Sequence, residues 1–468
     1  MRILIHGINF HPEAAGVGKY TGEMANWLAA AGHEVRVVTA PPHFPQWHVS
    51  PGYRAWRYNL QQLPLPARPG PMLGALLPPQ EKRVEVFRCP TWVPKSPNGL
   101  KRLLYLASFA LSSLPIMLWQ TRWHPDLVLL IEPTLCCAPQ ALLAARWSGA
   151  KAWLHIQDFE VDAAFELGDL ASSRGQDLAL TLERWLLRMF DRVSAISGQM
   201  VGRLMMKGVD PSRCVHFPNW VDTSEIYPLP NPSSLRLELG IAENAVVALY
   251  SGSMGKKQGL DLLVDAARRL SHYYDLRFVF CGEGSYRQVF AEKSKGLTNV
   301  TILPFQPSER LNDLLNLADI HLLPQRADAA DLVMPSKLTG MLASGRPVLA
   351  TAQPGTQLAS AVRGLGIVVP PDDLDAFVAA ILELAADKDL RLMLGQEARR
   401  YALNHLDSFL ILDHFEQSLL AVCGISPSRS KDEQVQGGAN ETLPLDLRTN
   451  FVEPPSTLGA ANTRKSCL

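Results

Sequence analysis

Across 468 residues, 45 basic and 45 acidic side chains cancel, so no global field draws the chain toward nucleic acid or a strongly acidic partner. Hydrophobic residues make up 47% and charged residues only 19%, which suits a globular enzyme resting against something apolar, with length for two or three domains. Seven cysteines include one adjacent pair, Cys136 and Cys137, and none has the two-plus-two spacing of a zinc site, so a reduced cytoplasmic setting is expected.

The chain opens directly into an apolar strand at residues 2–10 (RILIHGINF), with no h-region and cleavage site of a signal peptide. A loop with Gly16 and Gly18 follows. Tyr20, Met24, Trp27, Leu28 and Ala31 then mark one helical face that ends at Gly32, and residues 33–40 form the next strand. This strand–helix–strand unit is the building block of a parallel sheet, and glycines after its first strand allow close approach of backbone to a ligand. A tight turn without a ligand is the competing reading, because the full dinucleotide fingerprint is missing. The proline-rich stretch 41–80 reads as a long irregular excursion and is assigned to acceptor contacts. Residues 84–89 and 126–133 are strands. Between them, residues 103–119 carry no charge and are flanked by Lys101, Arg102 and Arg122. They fall short of the roughly 20 apolar residues of a membrane span, leaving a core helix or an interfacial helix facing anionic lipid. The strand at 151–158 delivers His155, Asp158, Glu160 and Asp162 to its carboxyl end, where open sheets bind ligands; the alternation DFEVD lacks the loop signals of a hard-metal site. After a strand at 192–197, the proline-rich run at 227–232 marks a linker.

The pattern then restarts. Residues 246–250 are a strand, 251–259 (SGSMGKKQG) a glycine-rich basic loop, and 260–270 a helix; the strand at 276–281 ends in Gly282-Glu283-Gly284. Further strands are expected at 300–303, 320–323, 348–350 and 366–370. Ser336 reads as the N-cap of a small-residue helix stopped at Gly345, and Lys337 adds a full charge to that helix start. Gly252, Lys256, Lys257, Gly282, Ser336 and Lys337 converge on one requirement: backbone amides and cations that match a diphosphate without crowding it. Two amphipathic helices are expected past Leu374. The partition is residues 1–222 for a first doubly wound domain, 223–234 for the linker and 235–400 for a second, diphosphate-binding one. A helix at 401–423 packs back on the first domain, and 424–468 is a disordered tail.

The segments HPEAAGVGKYTGEM, HIQDFEVD, FPNWVD, YSGSMGKKQGL and PSKLTGMLASGRPV resemble glycosyltransferase family 4, and within it the colanic acid biosynthesis glycosyltransferases and related O-antigen enzymes. The resemblance covers residues 1–423. It implies an α/β fold of GT-B type, two Rossmann-like doubly wound domains facing a cleft. It also implies transfer of a hexosyl group, L-fucosyl from GDP-fucose as first expectation, with retention and without metal or resident cofactor. The donor is expected to be a GDP- or UDP-linked sugar and the acceptor a polyprenyl-diphosphate-linked saccharide, reached at the inner face of the cytoplasmic membrane through residues 101–122. In that frame Gly16, Gly18, Gly252, Lys256, Lys257, Gly282, Ser336 and Lys337 bind the donor, His155 contacts the donor sugar, and Asp158 orients the acceptor. Gly340 stands where many members have a glutamate, with Asp328 or Asp331 as candidate substitutes, and Ser253 stands where many have an arginine. A nucleotide-sugar epimerase, or a scaffold that lost its chemistry, is the alternative on shared fold.

Overall fold

The computed structural model describes residues 1–13, 16–64, 83–95, 99–160, 173–255, 258–326 and 335–426, which fall within one compact unit. Lys256, Lys257, Asp162, Asp328, Asp331, residues 65–80 of the proline-rich excursion and the tail from 427 onward lie outside the described residues.

The first sheet contains β1 (Arg2–His6), β2 (Glu34–Thr39), β3 (Asn59–Pro64), β4 (Arg83–Arg88), β5 (Leu127–Glu132), β6 (Lys151–Ile156), β7 (Arg192–Ala195) and β8 (Cys214–His216), in the order β3-β4-β2-β1-β5-β6-β7-β8. All neighbours are parallel except β3, which runs antiparallel to β4 at the edge. This strand corrects the irregular reading of residues 41–80. Its sequence NLQQLP has no β-branched residue and four of its six residues are exposed, so the propensity signal that marks central strands is absent.

Helices α1 (Val17–Ala30), α2 (Gly99–Gln120), α3 (Ala138–Ser148), α4 (Ser173–Leu187) and α5 (Gly198–Met206) connect these strands. Successive strand residues point to opposite faces. Leu4, Val38, Val128, Leu130 and Leu154 pack under α2, α3, α4 and α5, whereas Ile3, Ile5, Val35, Leu127 and Leu129 pack on α1 and a C-terminal helix.

The second sheet contains β9 (Val246–Ser251), β10 (Leu276–Cys281), β11 (Val300–Leu303), β12 (Ile320–Leu323), β13 (Val348–Thr351) and β14 (Gly366–Val369), all parallel, in the order β11-β10-β9-β12-β13-β14. Its helices are α6 (Ser234–Glu238), α7 (Leu260–Arg269), α8 (Arg287–Lys293), α9 (Leu311–Leu317), α10 (Lys337–Ala343), α11 (Gln357–Val362), α12 (Leu374–Ala386), α13 (Lys388–His405) and α14 (Ser408–Val422). Three helices, not two, follow Leu374. Asp387 breaks α12 from α13 by capping Leu390 N at 2.8 Å, and Asp407 caps Phe409 N at 2.9 Å to start α14. Helix α14 returns to the first sheet, where Phe415 stacks on Phe217 at 3.7 Å and Glu416 accepts from Trp27 and His33.

The chain crosses between sheets twice, and the crossings are hydrogen-bonded side by side: Val221 N donates to Leu406 O and Ser408 N to Val221 O. The proline-rich run beyond the first crossing is docked, with Tyr227 N and Leu229 N donating to Asn312 and Asn316 of α9.

Helix α2 resolves the two readings of residues 103–119 into one amphipathic element of 22 residues. Tyr105, Leu106, Phe109 and Met117 are buried, while Leu100, Leu103, Leu104, Leu111, Leu114 and Trp119 are exposed, Leu111 at 73%. Among the described residues it is the one helix long and apolar enough to cross a membrane by length and composition. Its inner face is tied to the sheet: Gln140 Nε2 donates to Ser113 Oγ at 2.8 Å, and His6 Nε2 lies 3.2 Å from the same oxygen.

Candidate active site

In each sheet the strand order reverses beside the first strand, between β1 and β5 and between β9 and β12, and ligands of doubly wound sheets sit beyond the carboxyl ends at such points. The loops that leave these ends carry most of the expected site residues.

On the second sheet, Lys337 is the first residue of α10. Its stem is partly exposed, but Nζ is sealed from solvent and has no hydrogen-bond partner among the described residues. The ammonium lies 4.2 Å from the centroid of the Tyr250 ring, and a side chain at Gly252 would come within 3.5 Å of it. An aromatic face compensates only part of the lost hydration. Burial accordingly pulls the Lys337 ammonium from 10.5 down to about 7. A buried cation with one weak partner is poised for an anion. Ser336 departs from expectation: it has helical backbone angles, and its side chain caps no amide. Its carbonyl accepts from Thr339 Oγ1 at 2.9 Å and from Tyr20 Oη of the first sheet's α1 at 3.4 Å. That second bond places the Gly16 end of α1 opposite the start of α10.

Gly252 and Gly282 meet each other at close range. A Cβ on Gly282 would stand 1.8 Å from Gly252 O, and one on Gly284 would stand 2.3 Å from Met254 O. The two loops are laced by Gly252 N to Cys281 O and Met254 N to Glu283 O at 2.9 and 2.8 Å. Gly282→Ala is therefore expected to force the loops apart at a cost of about 1–3 kcal/mol. Denaturant unfolding would register the loss and a nucleotide-binding titration the misplaced Gly252; wild-type values in both would contradict the close approach.

On the first sheet, Gly16 precedes α1 with a φ of +64°, in the region that favours glycine. Gly18 lies inside the first turn of α1 and not in the loop, and the space of its missing side chain is filled by Glu13, 2.4 Å from where a Cβ would be. Gly18 therefore packs against protein. Glu13 was not singled out by sequence reasoning: it is buried, accepts from His43 N and Phe44 N at 3.0 Å, and so ties the loop after β1 to the loop after β2. Arg88 was missed too. It is buried at 1% exposure and donates to Ala40 O, His11 O and Gln61, holding the same loops from below.

His155, expected to contact the donor sugar, is held within the protein. It is 2% exposed; Gln157 Nε2 donates to its Nε2 at 2.9 Å, so Nδ1 carries the proton and donates to Ser194 Oγ at 2.9 Å. Burial pulls its pKa down to about 3, keeping the ring neutral. Both ring nitrogens are engaged, and the role assigned to it finds no free donor or acceptor there.

Asp158 is placed differently. Its Oδ1 is buried without a hydrogen-bond partner among the described residues, and burial raises its carboxyl from 3.8 to about 6 against the opposing pull of the Arg102 guanidinium. Beside it, Glu160 N donates to Glu132 Oε1 at 3.1 Å and Leu135 N donates to Glu160 Oε2 at 2.9 Å, so these two carboxyls staple the loops after β5 and β6. Glu132, hidden at the end of an apolar run, was not legible as part of this cluster. Among the described residues no group of His, Cys, Asp and Glu is arranged to hold a metal ion.

Residues 15–220 match the family model described as glycosyl transferase 4-like domain, and residues 245–387 match the one described as glycosyl transferases group 1. Over 428 residues the chain is 40% identical to WcaI of Escherichia coli (strain K12), a glycosyl transferase with a proposed role in colanic acid biosynthesis; the match spans 89% of this chain and 98% of that one. It is 26% identical over 302 residues to the GDP-mannose-dependent alpha-(1-6)-phosphatidylinositol monomannoside mannosyltransferase of Mycolicibacterium smegmatis, covering 60% and 79% of the two chains. Among solved structures, sucrose-phosphate synthase from Thermosynechococcus elongatus has a TM-score of 0.68 at 17% identity, covering 91% of this chain and 100% of that one. Anabaena HepE in complex with UDP-glucose has a TM-score of 0.62 at 16% identity, covering 90% and 100%. With a relative similar along nearly its whole length and family models falling on each sheet in turn, the chain belongs to glycosyltransferase family 4 and has the GT-B architecture of two Rossmann-like domains.

Proposed function

We propose that this glycosyltransferase moves a hexosyl group from a GDP- or UDP-linked sugar to a polyprenyl-diphosphate-linked saccharide during assembly of a colanic-acid-like exopolysaccharide. The similarity to WcaI supports the pathway and makes GDP-fucose the first donor to test. The observation that carries the reading is the Lys337 ammonium, sealed from solvent beside Gly252 with no hydrogen-bonding partner among the described residues. A diphosphate seated there supplies the missing counter-charge, and the cation in turn stabilises the negative charge that builds up as the anomeric C–O bond breaks. Lys256 and Lys257 complete the proposed donor clamp, so that protein cations do the work that a metal ion does elsewhere. Asp158, from the opposite sheet, accepts a hydrogen bond from the acceptor hydroxyl and holds its oxygen toward the face the diphosphate leaves, which gives retention. The hydroxyl proton departs with the nucleoside diphosphate.

The exposed leucines of α2 and its basic flanks Lys101, Arg102 and Arg122 support a peripheral site on the inner face of the cytoplasmic membrane, where a lipid-linked acceptor resides. A thermal-shift screen of nucleotide sugars tests the donor. A ligand at a hundred times its Kd adds about 2.7 kcal/mol, and one GDP- or UDP-sugar is expected to stand out. Release of free nucleotide only when acceptor is added then separates transfer from epimerisation and from a scaffold without chemistry. A flat screen would sink the donor assignment.

A further inference from the structure

A second apolar stripe lies on the side of the first sheet that α2 covers. On α4, Leu178, Leu182 and Trp185, followed by Met189 just past its end, recur at intervals of four, three and four, which places them on one helical face. All four are exposed, Leu178 at 71% and Trp185 at 56%. The opposite face is core: Leu186, Leu187 and Phe190 join the cluster beneath α2 and α3. The next helix, α5, adds exposed Met205 and Met206.

The platform is rigid. Lys207 and Glu183 form a buried ion pair between α4 and the end of α5, Arg213 Nη1 donates to Arg188 O at 3.2 Å, and the Arg188 guanidinium fills the space a side chain at Gly208 would need. Arg184, Arg188 and Arg213 are exposed and Arg203 half-buried on the same segments, against exposed Asp177 and Asp210. Exposed leucine, tryptophan and methionine on segments with an excess of arginine match the boundary between headgroups and acyl chains of an anionic bilayer.

We infer that the α4–α5 face is a second membrane contact, engaged together with α2 so that the whole helical layer on this side of the first sheet lies against anionic lipid. The inference rests on the membrane reading of α2 given above and deepens it. One helical line on a bilayer leaves the protein free to roll about that line. Two lines fix a plane, and with it the height and direction from which a lipid-linked diphosphate enters the cleft.

Flotation of the full-length chain with vesicles of phosphatidylethanolamine and phosphatidylglycerol tests this. Leu182→Glu/Trp185→Glu is expected to lower vesicle partitioning about tenfold, Leu111→Glu/Leu114→Glu to do likewise, and the four changes together to abolish it. Partitioning of the α4 variant at the wild-type level overturns the inference. So does a lost dimer in sedimentation without vesicles, which would make the face a contact with a second copy. If the α2 variant binds normally while the α4 variant does not, the α2 reading fails and the joint, two-line engagement is overturned with it, leaving α4–α5 as a lone contact. A gentler check avoids unfolding: quenching of tryptophan fluorescence by brominated lipid should weaken in Trp185→Phe, and unchanged quenching contradicts insertion.

Discussion

Replacing Lys337 with methionine should cut donor turnover by about 10²–10³ and, in the same molecule, make the ligand-free protein harder to unfold. The two effects have one cause. Lys337 Nζ is buried without a hydrogen-bonding partner among the described residues, a cost of about 1–3 kcal/mol that the isosteric apolar chain does not incur. Loss of a fixed cation at the leaving group costs about 10²–10³ in turnover. A lysine kept for structure would behave in the opposite way, destabilising the fold on removal. The pH dependence adds a further check. The folded-state pKa of about 7 lies below the unfolded value of 10.5, so the unfolded chain binds the extra proton between them. Wild-type stability therefore rises with pH through this window, and the advantage of Lys337→Met is full below about pH 7 and shrinks toward pH 10. Denaturant titrations at the two ends of the window and a nucleotide-release assay measure all three outcomes. Turnover within a few-fold of wild type would remove the diphosphate clamp.

The fold was legible because central parallel strands are short apolar runs bounded by glycine or polar turns. Every central strand of both sheets falls within a residue or a few of its expected place. The strand at Asn59–Pro64 was not legible, since an edge strand needs neither β-branched residues nor a hydrophobic face. Site residues divided along similar lines. Lys337 stood out because a charge at the first turn of a small-residue helix has few structural uses. Asp158 and His155 looked alike in sequence, two polar groups near the end of one strand, yet the histidine turns into the core and bonds to Ser194 while the aspartate keeps an unpaired oxygen. Only side-chain direction separates them, and period-two alternation becomes ambiguous where a strand gives way to a loop. Glycines misled in another way. Gly18 and Gly282 make room for Glu13 and for the Gly252 carbonyl, and a sequence records that a side chain is missing without recording what occupies the space.

Asp158→Asn should cut transfer about a hundredfold while raising stability at neutral pH, the counterpart on the first sheet of the lysine on the second. Burial lifts the Asp158 carboxyl to about 6 from 3.8, so between these values the folded state holds the extra proton and stability falls as pH rises. The destabilising charge is absent below about pH 4 and complete above about pH 6, and the stability gain of the asparagine variant should appear across that interval. Wild-type kcat/KM should carry an acid limb near pH 6 that the variant lacks, because only the ionised carboxylate accepts from the acceptor hydroxyl without competition from its own proton. If Asp158 merely braced the loop beside Glu160 and Glu132, the variant would lose stability at pH 7 and keep the limb. Lys337 Nζ and Asp158 Oδ1 are both buried without a hydrogen-bond partner among the described residues, each a cost to folding, and on the proposed mechanism donor and acceptor would offset it.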